Sequence, residues 1–140
     1  MRITFTIPGD IVPWARAGKR GKIQFTPTRQ RNFMGVIRGG AHDAMDGRKP
    51  LDGPVALKVV AVYAWPQSTT KKRRADPAGA WKTTKPDDDN IGKIVRDCLN
   101  GIAFVDDAQV SQSASWKVFG ERPGLRVSVE SLQGTPAPVF

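Results

Sequence analysis

The sequence predicts a single α+β domain in which two main helices pack on a small mixed β-sheet. Its 140 residues suit one ordinary domain with its own core. Segments with two-residue apolar alternation stand near both ends and in the middle of the chain. Two segments of helical period lie among them, and there is no internal repeat. The domain is expected over residues 1–133, with residues 134–140 as a flexible tail.

Residues 2–7 alternate, with Ile3, Phe5 and Ile7 on one face, and Pro8-Gly9-Asp10 ends this first strand. Residues 12–25 read as a basic loop carrying Arg16, Lys19, Arg20 and Lys22 among glycines and small residues. Two readings stand side by side here, a phosphate-contacting arm and a solvated hairpin. Thr28 opens a helix to about Met45 through Phe33, Val36, Ile37, Ala41 and Met45. Gly39-Gly40 weakens it, by about 1 kcal/mol per glycine relative to alanine. Residues 54–65 form a long strand that is apolar on both faces, which predicts a central position in the sheet.

Residues 67–85 are irregular and the most basic, with Lys71, Lys72, Arg73, Arg74, Lys82 and Lys85. They read as a loop that orders on a polyanion or as an exposed insertion. Trp81 among the lysines suits either base stacking or anchoring. The clearest helix spans residues 89–100, with Ile91, Ile94, Val95, Cys98 and Leu99 on one face and Gly101 as its stop. Residues 109–119 and 125–132 read as two antiparallel strands joined by a glycine- and proline-bearing turn.

The chain carries a formal net charge of +9, which points to a polyanionic partner, nucleic acid first. No long apolar span suggests a membrane segment, and no basic segment followed by an apolar core suggests a signal peptide. A lone cysteine, Cys98, excludes an internal disulfide and implies a reducing, cytoplasmic setting, with packing as its role. The lone histidine, His42, has no neighbours with which to complete a zinc site.

Against that basic background the acids concentrate at two points, Asp87-Asp88-Asp89 before the second helix and Asp106-Asp107 after it. In an extended approach to the helix, Asp87 and Asp89 project to one side and Asp88 to the other. Lys93 follows Asp89 by one helical turn. Return from the helix would bring Asp106 and Asp107 to the next strand, where a further carboxylate could close a site. Mg2+ takes oxygen ligands and keeps positions for water and phosphate, so this pattern fits a magnesium-dependent nuclease. The competing reading makes the aspartates helix caps and a turn, and Asp89 with Lys93 a surface ion pair. A single cap, however, accounts for one aspartate and not for a repelling run of three.

Residues 86–93, Pro-Asp-Asp-Asp-Asn-Ile-Gly-Lys, resemble the acidic motif of the RusA family of Holliday-junction resolvases, found in phages and prophages. The likeness also takes in Ile7-Pro8-Gly9-Asp10, Phe25-Thr26-Pro27, Asp97-Cys98-Leu99-Asn100-Gly101, Val105-Asp106-Asp107-Ala108-Gln109 and a strand bearing Lys117. It implies Asp87, Asp89 and Asp107 as metal ligands, Asp106 as a supporting ligand, Lys93 as the catalytic lysine and Asn90 as an orienting residue. Asp88 departs from the apolar residue usual between the two acids.

The resemblance further implies Mg2+, with Mn2+ as a substitute, and paired nicks on branched DNA by a homodimer. The basic residues named above, with Lys117, would contact its backbone. A flap- or fork-cleaving nuclease and a non-catalytic branched-DNA-binding protein remain the alternatives.

Overall fold

The β-branched and aromatic alternation of the chain ends and centre becomes a four-stranded mixed sheet in the order β1-β6-β4-β5. Its strands are β1 (Arg2–Pro8), β4 (Val55–Ala64), β5 (Val110–Gly120) and β6 (Gly124–Ser131). The computed structural model describes residues 1–12 and 28–140 in full, and the backbone alone of residues 18–20 and 23–25. Those two short pieces, β2 (Gly18–Arg20) and β3 (Ile23–Phe25), pair antiparallel as a separate ribbon within the stretch read as a loop.

The two main helices are α1 (Thr28–Met45) and α3 (Asp88–Leu99), and a short α2 (Lys71–Ala75) lies between β4 and α3. Val55, Leu57, Val59 and Ala61 of β4 face the apolar stripes of both helices across one core, with Ile3 and Ile7 of β1 and Val127 and Val129 of β6. Each such side chain, when fully buried, contributes about 1.5–3 kcal/mol. The weak point of α1 has a packing reason. A Cβ on Gly40 would stand 2.7 Å from Ile7 Cδ1, so glycine lets the helix lie against β1.

The central position read for β4 holds, with β6 antiparallel on one side and β5 parallel on the other. The strands β5 and β6 do run antiparallel, yet they are not paired as a hairpin, because β4 lies between them. The link from β4 through α3 to β5 is therefore a crossover, and it sets α3 against β5. The helix ends as expected, with Gly101 at φ +80°, a left-handed turn that suits glycine.

The connector read as irregular is folded. Thr70 Oγ1 accepts from Arg73 N–H at 3.2 Å at the start of α2, and Asp76 Oδ1 accepts from Ala78 N–H at 3.0 Å in the following 3-10 turn, Pro77–Ala80. Trp81 then bridges to Val118 on the outer side of β5, while its indole stays exposed.

Candidate active site

The start of α3 is where the acids meet structure. Asp87 is the N-cap residue, with φ −69° and ψ 153°, yet its side chain makes no capping hydrogen bond. Its carboxylate lies instead 3.6 Å from Lys85 Nζ. Both groups are solvent-exposed, so this pair contributes little to stability and leaves the carboxylate open to a stronger cation. Asp88 and Asp89 occupy the first turn, at the positive end of the helix dipole. Asn90 donates its N–H to the Asp87 carbonyl at 3.2 Å, and Lys93 is exposed one turn beyond Asp89.

A cleft of about 420 Å3 runs between α3 and β5. Asp88 and Asp89 line one end beside Trp116, and Arg96 lines the other beside Ser113. The structure thus places Asp88, not Asp87, next to Asp89 on the cleft wall. An extended run would have sent alternate residues to one side. Helical geometry already at Asp88 sets neighbours about 100° apart instead.

Several contacts fix this helix against the strand. Arg96 Nη2 donates to Ser113 Oγ at 2.7 Å, and a Cβ on Gly92 would meet Ser115 Oγ at 3.3 Å. Lys117 Nζ donates to the carbonyls of Thr84 and Pro86, each at 2.9 Å, and so fastens the segment that delivers Asp87. Beside it Lys82 Nζ donates to Thr84 Oγ1 at 2.6 Å and stands 5.0 Å from the centre of the Tyr63 ring. Desolvation, then repulsion from Lys117, lowers the Lys82 pKa, and burial pushes the Tyr63 hydroxyl up to about 12.

The second acidic pair lies elsewhere in the same chain. Asp106 N–H donates to Gln109 Oε1 at 2.9 Å at the head of a 3-10 turn, Asp107–Gln109. Gln109 Nε2 donates to the carbonyls of Leu51 and Gly53, each at 2.8 Å, which ties that turn to the entry of β4. Asp89 borders Trp116 near the far end of β5. Six steps of strand from Val110 to Trp116 span about 20 Å. Among the described residues no group of three or more His, Cys, Asp or Glu side chains stands close enough to hold a metal ion. Asp87 and Asp89 nonetheless offer the hard oxygen donors that Mg2+ takes. Such an ion is commonly held by one or two carboxylates together with substrate phosphate, so the exposed acids at the start of α3 have the donor chemistry to take part in holding it.

The basic residues divide. Lys71, Lys72 and Lys85 are exposed around α2 and the approach to α3. Arg73 stacks over Trp65, 5.6 Å from the ring centre, and Arg74 Nη2 donates to the Pro66 carbonyl at 3.3 Å. Arg16 and Lys22 lie outside the described residues, and Lys19 and Arg20 are described only as backbone of β2. His42 is exposed on α1, and Cys98 is fully buried, its thiol pushed up to about 11 chiefly by that burial. No helix among the described residues is long and apolar enough to cross a membrane.

Sequence reasoning missed Gln109, Arg96 and the fastening role of Lys117. An uncharged glutamine in a turn gives no signal of its own, whereas Arg96 was legible as a charge one helical turn beyond Gly92. Two comparisons bear on what this arrangement does. The family described as endodeoxyribonuclease RusA matches residues 8–130. An uncharacterized protein of Bacillus subtilis (strain 168), YqaN, is 34% identical over 140 residues, covering 93% of this chain and 96% of that protein.

Proposed function

The chain belongs to the RusA endodeoxyribonuclease family, and from that premise we propose that it resolves four-way DNA junctions by paired, Mg2+-dependent nicks, acting as a homodimer. The observation that carries this reading is the family match over residues 8–130, which spans the acidic start of α3 and the later Asp106-Asp107 pair. Asp87 and Asp89 would hold the ion, which when bound supplies Lewis-acid activation of water and of the scissile phosphate.

The protein's own residues supply the rest. The exposed carboxylates of Asp87 and Asp89 are carried on a helix start that Lys117 and Arg96 hold to β5. Lys93 presents an ammonium one turn away, which stabilises negative charge developing on the phosphate or on the departing oxygen. Exposed Lys85 beside Asp87, with Lys71 and Lys72 on α2, would neutralise backbone phosphates and orient the strand without reading its sequence.

The homodimer has two supports. A four-way junction has approximate two-fold symmetry, which a C2 dimer matches with one site on each of two opposed strands. In addition, about 20 Å of strand lies between the part of β5 beside Asp107 and the part beside Asp89 within one chain. A site of three carboxylates would therefore draw its Asp106-Asp107 turn from a second chain.

The test is cleavage of a labelled four-way junction beside linear duplex, with Mg2+ and with EDTA, by wild type and Asp89→Asn. Paired nicks confined to the junction, dependent on the ion and lost in the variant, are the expected result. Binding of branched DNA without cutting under any divalent ion would replace the reading with that of a binding protein. Cutting confined to flaps or forks would change the substrate and leave the nuclease in place.

A further inference from the structure

We propose that the outer edge of β5, over residues 112–116, is where two copies of this chain pair, strand to strand and antiparallel, about a two-fold axis at Ala114. The proposal rests on the homodimer of the preceding reading and gives it a surface. The strand β5 is outermost in the sheet. Lys117 turns its carbonyl outward, where it accepts from Lys82 N–H at 3.0 Å. By the two-residue period of a strand, Ser113 and Ser115 turn their N–H and C=O groups to the same edge. Among the described residues nothing else bonds to that edge through its backbone.

Edges that must stay solitary carry charge, proline or a bulge. The window Gln112-Ser113-Ala114-Ser115-Trp116 has no charge and no proline. Its limits are built. The register with β4 slips between Val55–Val110 and Ala56–Gln112, which leaves Ser111 as a bulge at one end, and Lys82 occupies the edge at Lys117 at the other. The centre of the window is Ala114. With the axis there, Ser113 of each copy opposes Ser115 of the other, and these two hydrogen-bonded pairs use the free groups of both strands. In the same register Ser111 of one copy opposes Lys117 of the other. The bulge thus turns the strand aside where Lys82 already covers the edge.

Charge selects a second copy as the occupant. The cleft beside this edge is acidic at the Trp116 end, through Asp88 and Asp89, and basic at the Ser113 end, through Arg96. An antiparallel copy reverses that order, so Asp88 of each chain faces Arg96 of the other. The same reversal carries the Asp106-Asp107 turn of each copy toward the α3 start of its neighbour. An unrelated peptide would need the same charge order by chance.

Cysteine cross-linking tests the register. Across the axis the two Ala114 Cα atoms would be about 4.5 Å apart, the spacing of a non-hydrogen-bonded antiparallel pair and within disulfide range. The two Gln112 residues would be about 14 Å apart, at about 3.4 Å per residue. Cys98 is fully buried and does not compete. Oxidised Ala114→Cys is expected to run as a covalent dimer on a non-reducing gel, and Gln112→Cys as a monomer. In sedimentation Ala114→Lys, with unchanged circular dichroism, is expected to be monomeric where wild type is a dimer.

Equal cross-linking of both cysteine variants would overturn the register. A wild-type dimer with no Ala114→Cys linkage would overturn the interface while leaving the resolvase reading standing. A wild-type protein that nicks junctions as a monomer would remove the homodimer and this surface together. A covalent Ala114→Cys dimer with a wild type that cuts no DNA would keep the interface and refute the nuclease.

Discussion

If one site is built from Asp87 and Asp89 of one chain and Asp107 of another, two dead variants should repair each other. The perturbation is to mix Asp89→Asn with Asp107→Asn after unfolding and refolding them together, so that subunits exchange. The magnitude follows from geometry and counting. A carboxylate must come within about 2.1 Å of Mg2+ to bind it, whereas about 20 Å of strand separates the two acidic regions within one chain. In a mixed dimer one site combines both lesions and is dead, while the other combines two intact surfaces. Random pairing makes about half the dimers mixed, so about one quarter of all sites should be intact in a two-fold assembly.

The assay is junction nicking resolved by strand. Each variant alone should be inactive, and the mixture should recover about a quarter of the wild-type nicking, as unpaired single nicks rather than paired ones. A mixture as inactive as its components, with subunit exchange shown by tagged chains, would refute the shared site and place Asp107 outside the chemistry.

Two further outcomes separate holding from binding. Lys117→Met removes two ammonium-to-carbonyl hydrogen bonds from the segment before Asp87. Solvent access discounts them to a loss of about 1–2 kcal/mol, with nicking down at least about tenfold because the acids shift. If Lys117 instead contacts DNA phosphate, junction affinity falls and the salt slope drops by about one, a change that titrations at several ionic strengths would read. Gln109→Ala cuts three hydrogen bonds that hold the Asp107 turn. It should cost about 2 kcal/mol in denaturant unfolding and slow nicking without weakening junction binding. Unchanged nicking by a folded variant would show that the turn's position does not matter.

The parts of the fold set by local periodicity were legible. The apolar period of residues 91–99 gave α3 to within a residue at each end, and apolar residues on both faces of residues 55–64 gave β4 its central place. What stayed hidden depends on pairing across long stretches of chain. Nothing local tells residues 110–120 to pair with β4 rather than with the strand that follows, because that choice is settled by how α3 covers the sheet. The acids show the same division. Their presence and their place at a helix start could be read, but the side to which each carboxylate points turned on whether Asp88 was already helical. The distance to Asp107 turned on a crossover topology that spacing along the chain does not contain.

The proposed cation also gives a reason why a chain of net charge +9 holds three acids in sequence at the start of α3. On the proposed reading, DNA drawn by Lys71, Lys72 and Lys85 would meet Asp87, Asp88 and Asp89 at the point where α3 meets β5, and like charge would hold the phosphate off. A divalent cation there would reverse the sign of that contact, joining the affinity of the basic surround to a local dependence on metal. The ammonium of Lys85, 3.6 Å from Asp87 and largely exposed, is too weak a partner to do this in its place. Attraction would then be general, and close approach of the scissile phosphate conditional on the cation. A nuclease with a strongly positive surface needs that separation if it is to bind ordinary duplex without cutting it.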